Sequence, residues 1–152
     1  MPKIETSKLV ARTSTGYPDQ FKPVVAGREK IALGNAAGLS QFGVNLTRLK
    51  PGAASALRHW HENEDEFVYV LEGELVLVED EGETVLGPGD CAGFKANIPN
   101  GHHLINRTNR DALILEVGTR SPHERAHYPD VDLLYEVDGK NTRILHKDGT
   151  PY

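Results

Sequence analysis

Between Gln41 and Val117 the sequence breaks into short alternating or apolar runs, each closed by a turn that contains Gly or Pro, and this punctuation limits the folds available to it. In the first run Phe42, Val44, Leu46 and Arg48 fall on one face of a strand, and Gly43, Asn45, Thr47 and Leu49 on the other. Pro51-Gly52 ends it. A second strand around Leu57 to His61 places His59 and His61 on one face and Arg58 and Trp60 on the opposite one. Glu62 to Asp65 reads as a turn or bulge, and Phe67 to Leu71 is a β-branched and aromatic run. Leu75 to Val78 follows at once, so Leu71 to Glu74 reads as a hairpin turn. Asp80-Glu81-Gly82, Thr84 to Leu86, Gly87 to Asp90, Ala92 to Phe94, Leu104-Ile105 and Ala112 to Val117 complete the series. Seven or eight short strands at spacings of about 8–12 residues, with no convincing amphipathic helix, predict an all-β sandwich or barrel.

The 152 residues suit one domain with extended ends: an N-terminal arm over 1–40, a barrel over 41–120 and a C-terminal arm over 121–152. Phe21, Val24, Val25 and Ile31 would be exposed in a disordered tail, so the first arm is expected to lie across the barrel or on a neighbouring subunit. In the second arm, Tyr135 to Val137 and Arg143 to Leu145 can form a late hairpin around Asp138-Gly139-Lys140-Asn141. A formal charge of −5 lacks the basic footprint of a nucleic-acid binder. The lone cysteine, Cys91, excludes an intrachain disulfide, suits a reducing cytoplasmic setting, and reads as a small buried side chain. The N-terminus lacks a basic start followed by an apolar stretch, and no run approaches the ~18 apolar residues of a membrane span.

Side-chain direction repeats every two residues on a strand, so His59 and His61 project together from Cα positions about 7 Å apart. Both imidazoles can then reach one ion at about 2.1 Å. Glu66, opening the next strand, is a third donor on the same reasoning. Glu64 and Asp65 are assigned to solvent in the turn, and His123, His127 and His146 to the surface. Tyr69 and Trp60 face away from the donors. Imidazole with carboxylate suits several divalent transition metals without choosing among them.

At these residues the chain resembles the cupins. His59-x-His61-x-x-x-x-Glu66 followed by Gly73, with Pro51-Gly52 upstream, resembles their first signature; Gly87-Pro88-Gly89-Asp90 followed by Pro99, His102 and Asn106 resembles the second. The likeness spans residues 42–118. Pro99-Asn100-Gly101-His102-His103, and Tyr128-Pro129-Asp130-Val131-Asp132-Leu133 after the barrel, are similar to one small-cupin subgroup. The resemblance implies a double-stranded β-helix (jelly-roll) barrel with irregular N- and C-terminal arms, commonly a homodimer. It also implies one divalent metal ion (Zn, Fe, Mn or Ni) held by His59, His61, Glu66 and a histidine of the second signature. The usual spacing would put that histidine at Asn100, with Lys95 and Asn97 where a proline and a glycine normally stand; two inserted residues bring His102 into place. His102 and His103 would point to opposite faces of one strand, and His102 is preferred because it keeps the spacing to Asn106.

Such a ligand set leaves room for substrate on the ion, so the expected function is a metal-dependent enzyme acting on a small organic molecule, of oxygenase, isomerase or lyase type. Val68 stands where some cupin lyases carry a tyrosine, which counts against that chemistry. Asn45, Thr47 and Glu116 are candidate pocket residues. The competing expectation is a non-catalytic cupin that binds or senses a small ligand.

Overall fold

The computed structural model describes residues 2–152. Its strands, in chain order, are β1 (Arg28–Ala32), β2 (Phe42–Leu49), β3 (Trp60–His61), β4 (Glu66–Glu72), β5 (Leu75–Glu79) and β6 (Gly82–Leu86). The series continues with β7 (Cys91–Phe94), β8 (His103–Ile105), β9 (Ala112–Thr119), β10 (His123–His127), β11 (Leu134–Asp138) and β12 (Asn141–Leu145). A single helical turn, Leu33–Ala36, and two 3-10 segments are the only helices among the described residues. The strands form three sheets, of order β1-β2-β9-β4-β7, β12-β11-β10-β3 and β6-β5-β8. Every ladder is antiparallel.

The alternation read from β2 is the alternation found. Leu49 is fully buried, and its registered neighbours Ala112 on β9 and Arg28 on β1 share the inner face. Val68 and Val70 of β4 and Ile114 of β9 extend that face, and Leu75, Leu77 and Leu104 from the three-stranded sheet close over it as one apolar core. A second cluster gathers Leu57, Ala126, Tyr128 and Leu133, with Tyr17, Phe21 and Val24 of the N-terminal segment packed against it. Tyr17, Phe21 and Val24 therefore lie on the C-terminal sheet, and Arg28–Ala32 supply an edge strand, β1, to the five-stranded sheet.

Three expectations change. Leu71 to Glu74 is not a hairpin, because β4 pairs with β7 and β9 while β5 pairs with β6 and β8. Both strands bury apolar residues in the same core from opposite sheets, so the chain must turn a corner between them. Gly73 makes that corner at φ 80°, where a Cβ would stand 2.7 Å from the Asp111 carbonyl oxygen. Second, the C-terminal segment is regular: the expected hairpin of β11 and β12 continues through β10 to β3. Third, Cys91 is exposed, because it shares the outer face of the sheet with Tyr69, its partner in the β4–β7 ladder.

Candidate metal centre

The four histidine and glutamate positions singled out in the sequence come together from three sheets. His61 lies on β3, Glu66 opens β4, and His102 directly precedes β8. His59 and His102 bind one another's backbone, with His59 N–H donating to the His102 carbonyl at 3.2 Å and His102 N–H to the His59 carbonyl at 2.9 Å. That bridge sets the two rings side by side, 5.1 Å apart at their centroids. Phe94 stacks flat on His102 at 3.6 Å and fixes its plane.

The donors converge on one oxygen. Glu66 Oε2 lies 2.7 Å from His102 Nε2 and 3.5 Å from both His59 Nε2 and His61 Nε2. Donor atoms of His59, His61 and Glu66 are all within 4.8 Å of one another. Nδ1 of His59 and of His102 lie 2.8 and 3.2 Å from the carbonyls of Leu57 and Asn100, which can only accept. Each ring therefore donates there and turns Nε2 toward the carboxylate. Imidazole lone pairs gathered around a carboxylate are satisfied by a cation at their centre, and three nitrogens with one oxygen suit a divalent transition metal.

His61 is supported from behind. Its Nδ1 is buried without a hydrogen bond and faces Glu124 Oε1 at 3.6 Å and Glu64 Oε2 at 3.8 Å. Glu124 has no exposed side-chain surface. Its oxygens accept the Glu62 and Asn63 backbone N–H groups, both at 2.9 Å. A carboxylate behind a ligating imidazole orients the ring and raises its basicity. Sequence reading missed Glu124, although inward Glu124 and Ala126 alternate with exposed His123 and Arg125 along β10. Glu64, assigned to solvent in the turn, is instead half-buried at the site, with Oε1 accepting the Ser121 N–H at 2.8 Å. His103 points away, its Nδ1 donating to the Ala56 carbonyl at 2.9 Å.

Burial would raise the Glu66 carboxyl, but contact with His102, His59 and His61 outweighs it and holds the group well below its usual 4.5. Burial likewise opposes charge on His61, but Glu124 and Glu66 outweigh it and push its pKa up from 6.5 to about 10. In the metal-free fold this His61 interaction is stabilising in full below pH 6.5 and is lost as pH rises through about 10. A metal taking Nε2 must displace the proton. Metal affinity is therefore expected to rise with pH across that window, with about one proton released per ion at pH 8. Calorimetric titration in buffers of different ionisation enthalpy measures that release; an enthalpy independent of buffer would contradict it.

The cluster forms one wall of a cavity of about 360 Å³, within the usual size of a small-molecule site. Tyr17, Arg28, Lys30, Asn45, Glu64 and Glu116 also line it. Asn45 and Glu116, two of the three candidate pocket residues, thus line it. Thr47 acts from behind, its hydroxyl donating to Glu116 at 2.7 Å, while Lys30 Nζ sits 2.9 Å from the same carboxylate.

The turn before His102 has its own supports. Asn97 adopts φ 60°, the left-handed conformation that glycine would take in its place and that asparagine tolerates best of the other residues. At Gly101 a Cβ would come within 2.7 Å of Pro129 Cγ, so the Pro99–His103 turn and the Tyr128–Leu133 segment are packed on each other. Arg58 joins them, donating to the Gly101 carbonyl at 3.1 Å and to both Asp130 oxygens at 2.8 and 2.9 Å.

Three imidazoles and a carboxylate carried on antiparallel sheets define a cupin-type site, and the chain belongs to the cupin superfamily. The Cupin domain family matches residues 45–118. Over its whole length the chain is similar to a sugar phosphate isomerase of the cupin superfamily from Silicibacter pomeroyi. The two are 49% identical, with 99% of this chain and 96% of that one covered at a TM-score of 0.95. A putative sugar phosphate isomerase from Acidithiobacillus ferrooxidans is 26% identical over 84% of this chain and 82% of its own, at a TM-score of 0.74. A predicted oxalate decarboxylase from Thermotoga maritima, 21% identical, shares the fold at a TM-score of 0.62 over 78% of this chain and 99% of its own. None of the curated proteins compared with the chain matches it.

Proposed function

We propose that the protein is a divalent-metal-dependent isomerase of small phosphorylated sugars. The observation that carries this reading is the convergence of His59, His61 and His102 on Glu66 beside a cavity of substrate size. The likeness over nearly the full length to a sugar phosphate isomerase supports it. His59, His61, Glu66 and His102 would hold Zn, Fe, Mn or Ni, and the ion would polarise the carbonyl and hydroxyl oxygens of a sugar. Around it the chain's own groups orient substrate and handle protons. Burial raises the pKa of the Glu64 carboxyl, and a carboxyl drawn up in this way is suited to passing a proton between adjacent sugar carbons at Oε2. Glu116, held by Lys30 and Thr47, is placed to accept from a sugar hydroxyl.

The test is turnover by the metal-reconstituted protein on a panel of aldose and ketose phosphates, followed by NMR. Conversion that chelation stops is the expected result. Saturable binding without conversion under any of the four metals would favour a ligand-sensing cupin instead.

In this reading the sheets wrap the site as a jelly roll, with residues 41–120 as the barrel and the flanking segments as arms, in a cytoplasmic homodimer. The outer face of the five-stranded sheet supports the dimer. Phe67, Tyr69 and Leu71 are each about 40% exposed, and Leu115 and Val117 stand beside them on the neighbouring strand. A continuous apolar sheet face of this kind suits a second copy of the same face. Leu115→Lys should weaken the dimer at least tenfold by sedimentation, with an unchanged circular dichroism spectrum. A variant that sediments like the parent protein would place the contact elsewhere.

A further inference from the structure

Among the described residues, Arg28 is the only lysine or arginine that is buried, at 8% exposure, and no carboxylate reaches it within 4.0 Å. Buried charges are ordinarily paired, because removing an ion from water costs several kcal/mol that only a partner offsets. The carboxylate within the chain that acts on it, Glu116, is already engaged by Lys30 and Thr47. Of the five donors on its guanidinium, Arg28 uses Nη1 alone, toward the Ser55 carbonyl at 2.7 Å. It stands two residues before Lys30 on the inner face of β1, and both side chains line the cavity that holds His59, His61, Glu66 and His102. The charged groups on that wall are Arg28, Lys30 and Arg120 against Glu64, Glu66 and Glu116. A divalent ion at the histidines would therefore leave the cavity with a positive excess. That excess, and a fork of donors with no anion of its own, call for a ligand carrying negative charge.

We infer that Arg28, with Lys30 beside it, binds the phosphate group of the substrate and so presents the sugar's oxygens to the histidine cluster. This assignment rests on the isomerase reading for the identity of the whole substrate. It does not rest on it for the anion, since the unpaired guanidinium stands whatever reaction follows. Arg28 also holds the loop that carries His59, through Ser55, so the test has to separate anion binding from loop anchoring.

The experiment is calorimetric titration of the metal-loaded full chain with inorganic phosphate, comparing the parent protein with Arg28→Gln and Arg28→Lys. Arg28→Gln should weaken phosphate binding roughly ten- to a hundredfold, the range of a charge-assisted hydrogen bond. Arg28→Lys, which keeps the charge but loses the planar fork, should restore part of it. Phosphate affinity unchanged in Arg28→Gln would place the anion on the metal and overturn the inference. Acetate bound as tightly as phosphate by the parent protein would overturn the choice of phosphate. If Arg28→Gln does not fold, Arg28→Lys decides alone: phosphate binding at least threefold weaker at an unchanged melting temperature supports the inference, and unchanged binding refutes it. Because no turnover is read, a protein that isomerises no sugar phosphate while its phosphate affinity follows Arg28 removes the isomerase reading and leaves the anion site standing.

Discussion

His102→Ala is expected to strip the bound metal and lower turnover by about 10³-fold, whereas His103→Ala should leave metal content unchanged. The two residues are neighbours in sequence and have opposite surroundings. His102 is 5% exposed, lies flat against Phe94, and brings Nε2 to 2.7 Å from Glu66 Oε2. His103 turns its Nδ1 to the Ala56 carbonyl on the far side of the strand. A metal that stabilises transition-state charge contributes several kcal/mol, and each 1.36 kcal/mol is tenfold in rate, which sets the size of the expected loss. His61→Ala should behave like His102→Ala, because it removes another of the three imidazoles around the same oxygen. Metal analysis after gel filtration, with activity measured on the same samples, checks all three variants. Metal retained at full occupancy in His102→Ala would mean that the ion sits elsewhere.

The second large effect belongs to a residue that need not touch the metal. Glu124→Ala would strand the Asn63 N–H, leave the Glu62 N–H with the Arg125 carbonyl alone, and remove the nearer of the two carboxylates behind His61. One orphaned donor and one lost charge-assisted bond cost about 2 kcal/mol together, or roughly a 6 °C fall in melting temperature for a chain of this size. Metal affinity should fall about 10–100-fold as well, as when an outer carboxylate is removed from a ligating histidine. Glu124→Gln separates the two effects. It keeps one acceptor and the shape, so it should recover much of the stability while still losing metal affinity. Equal affinity in Glu124→Gln and the parent protein would reduce Glu124 to a support for the turn.

What could be read in advance follows from the range of the interactions. His59 and His61 share a face, and Glu66 opens the next strand, because strand periodicity is local and needs no knowledge of the sheet. Alternation grouped Asn45 with Thr47 on one face of its strand, but only the sheet shows that Asn45 and Glu116 reach the cavity wall. The Leu71–Glu74 turn was misread because a hairpin and a corner between sheets look alike in sequence; only the partners of β4 and β5 tell them apart. Glu64 looked solvated among its acidic neighbours, yet the Ser121 N–H, 57 residues further on, draws it inward. Glu124 was hidden for the same reason. Its role depends on β10 pairing with β3, a contact with no local signal. The Pro99–His103 turn and the Tyr128–Leu133 segment were visible as two separate strings. That they are one packed unit is settled by Gly101 against Pro129 and by the reach of Arg58.

The reciprocal bridge between His59 and His102 carries a further consequence for how the centre forms. The donors belong to segments of three different sheets, so no partly folded chain holding only one of those sheets can present them together. An ion seated there would fasten the sheets to one another, so that metal binding and closure of the fold stabilise each other. Its route in and out is the substrate cavity, onto which the cluster opens. A bound ion would in this way act as a cross-link between sheets that share no strand ladder, made by side chains rather than by backbone.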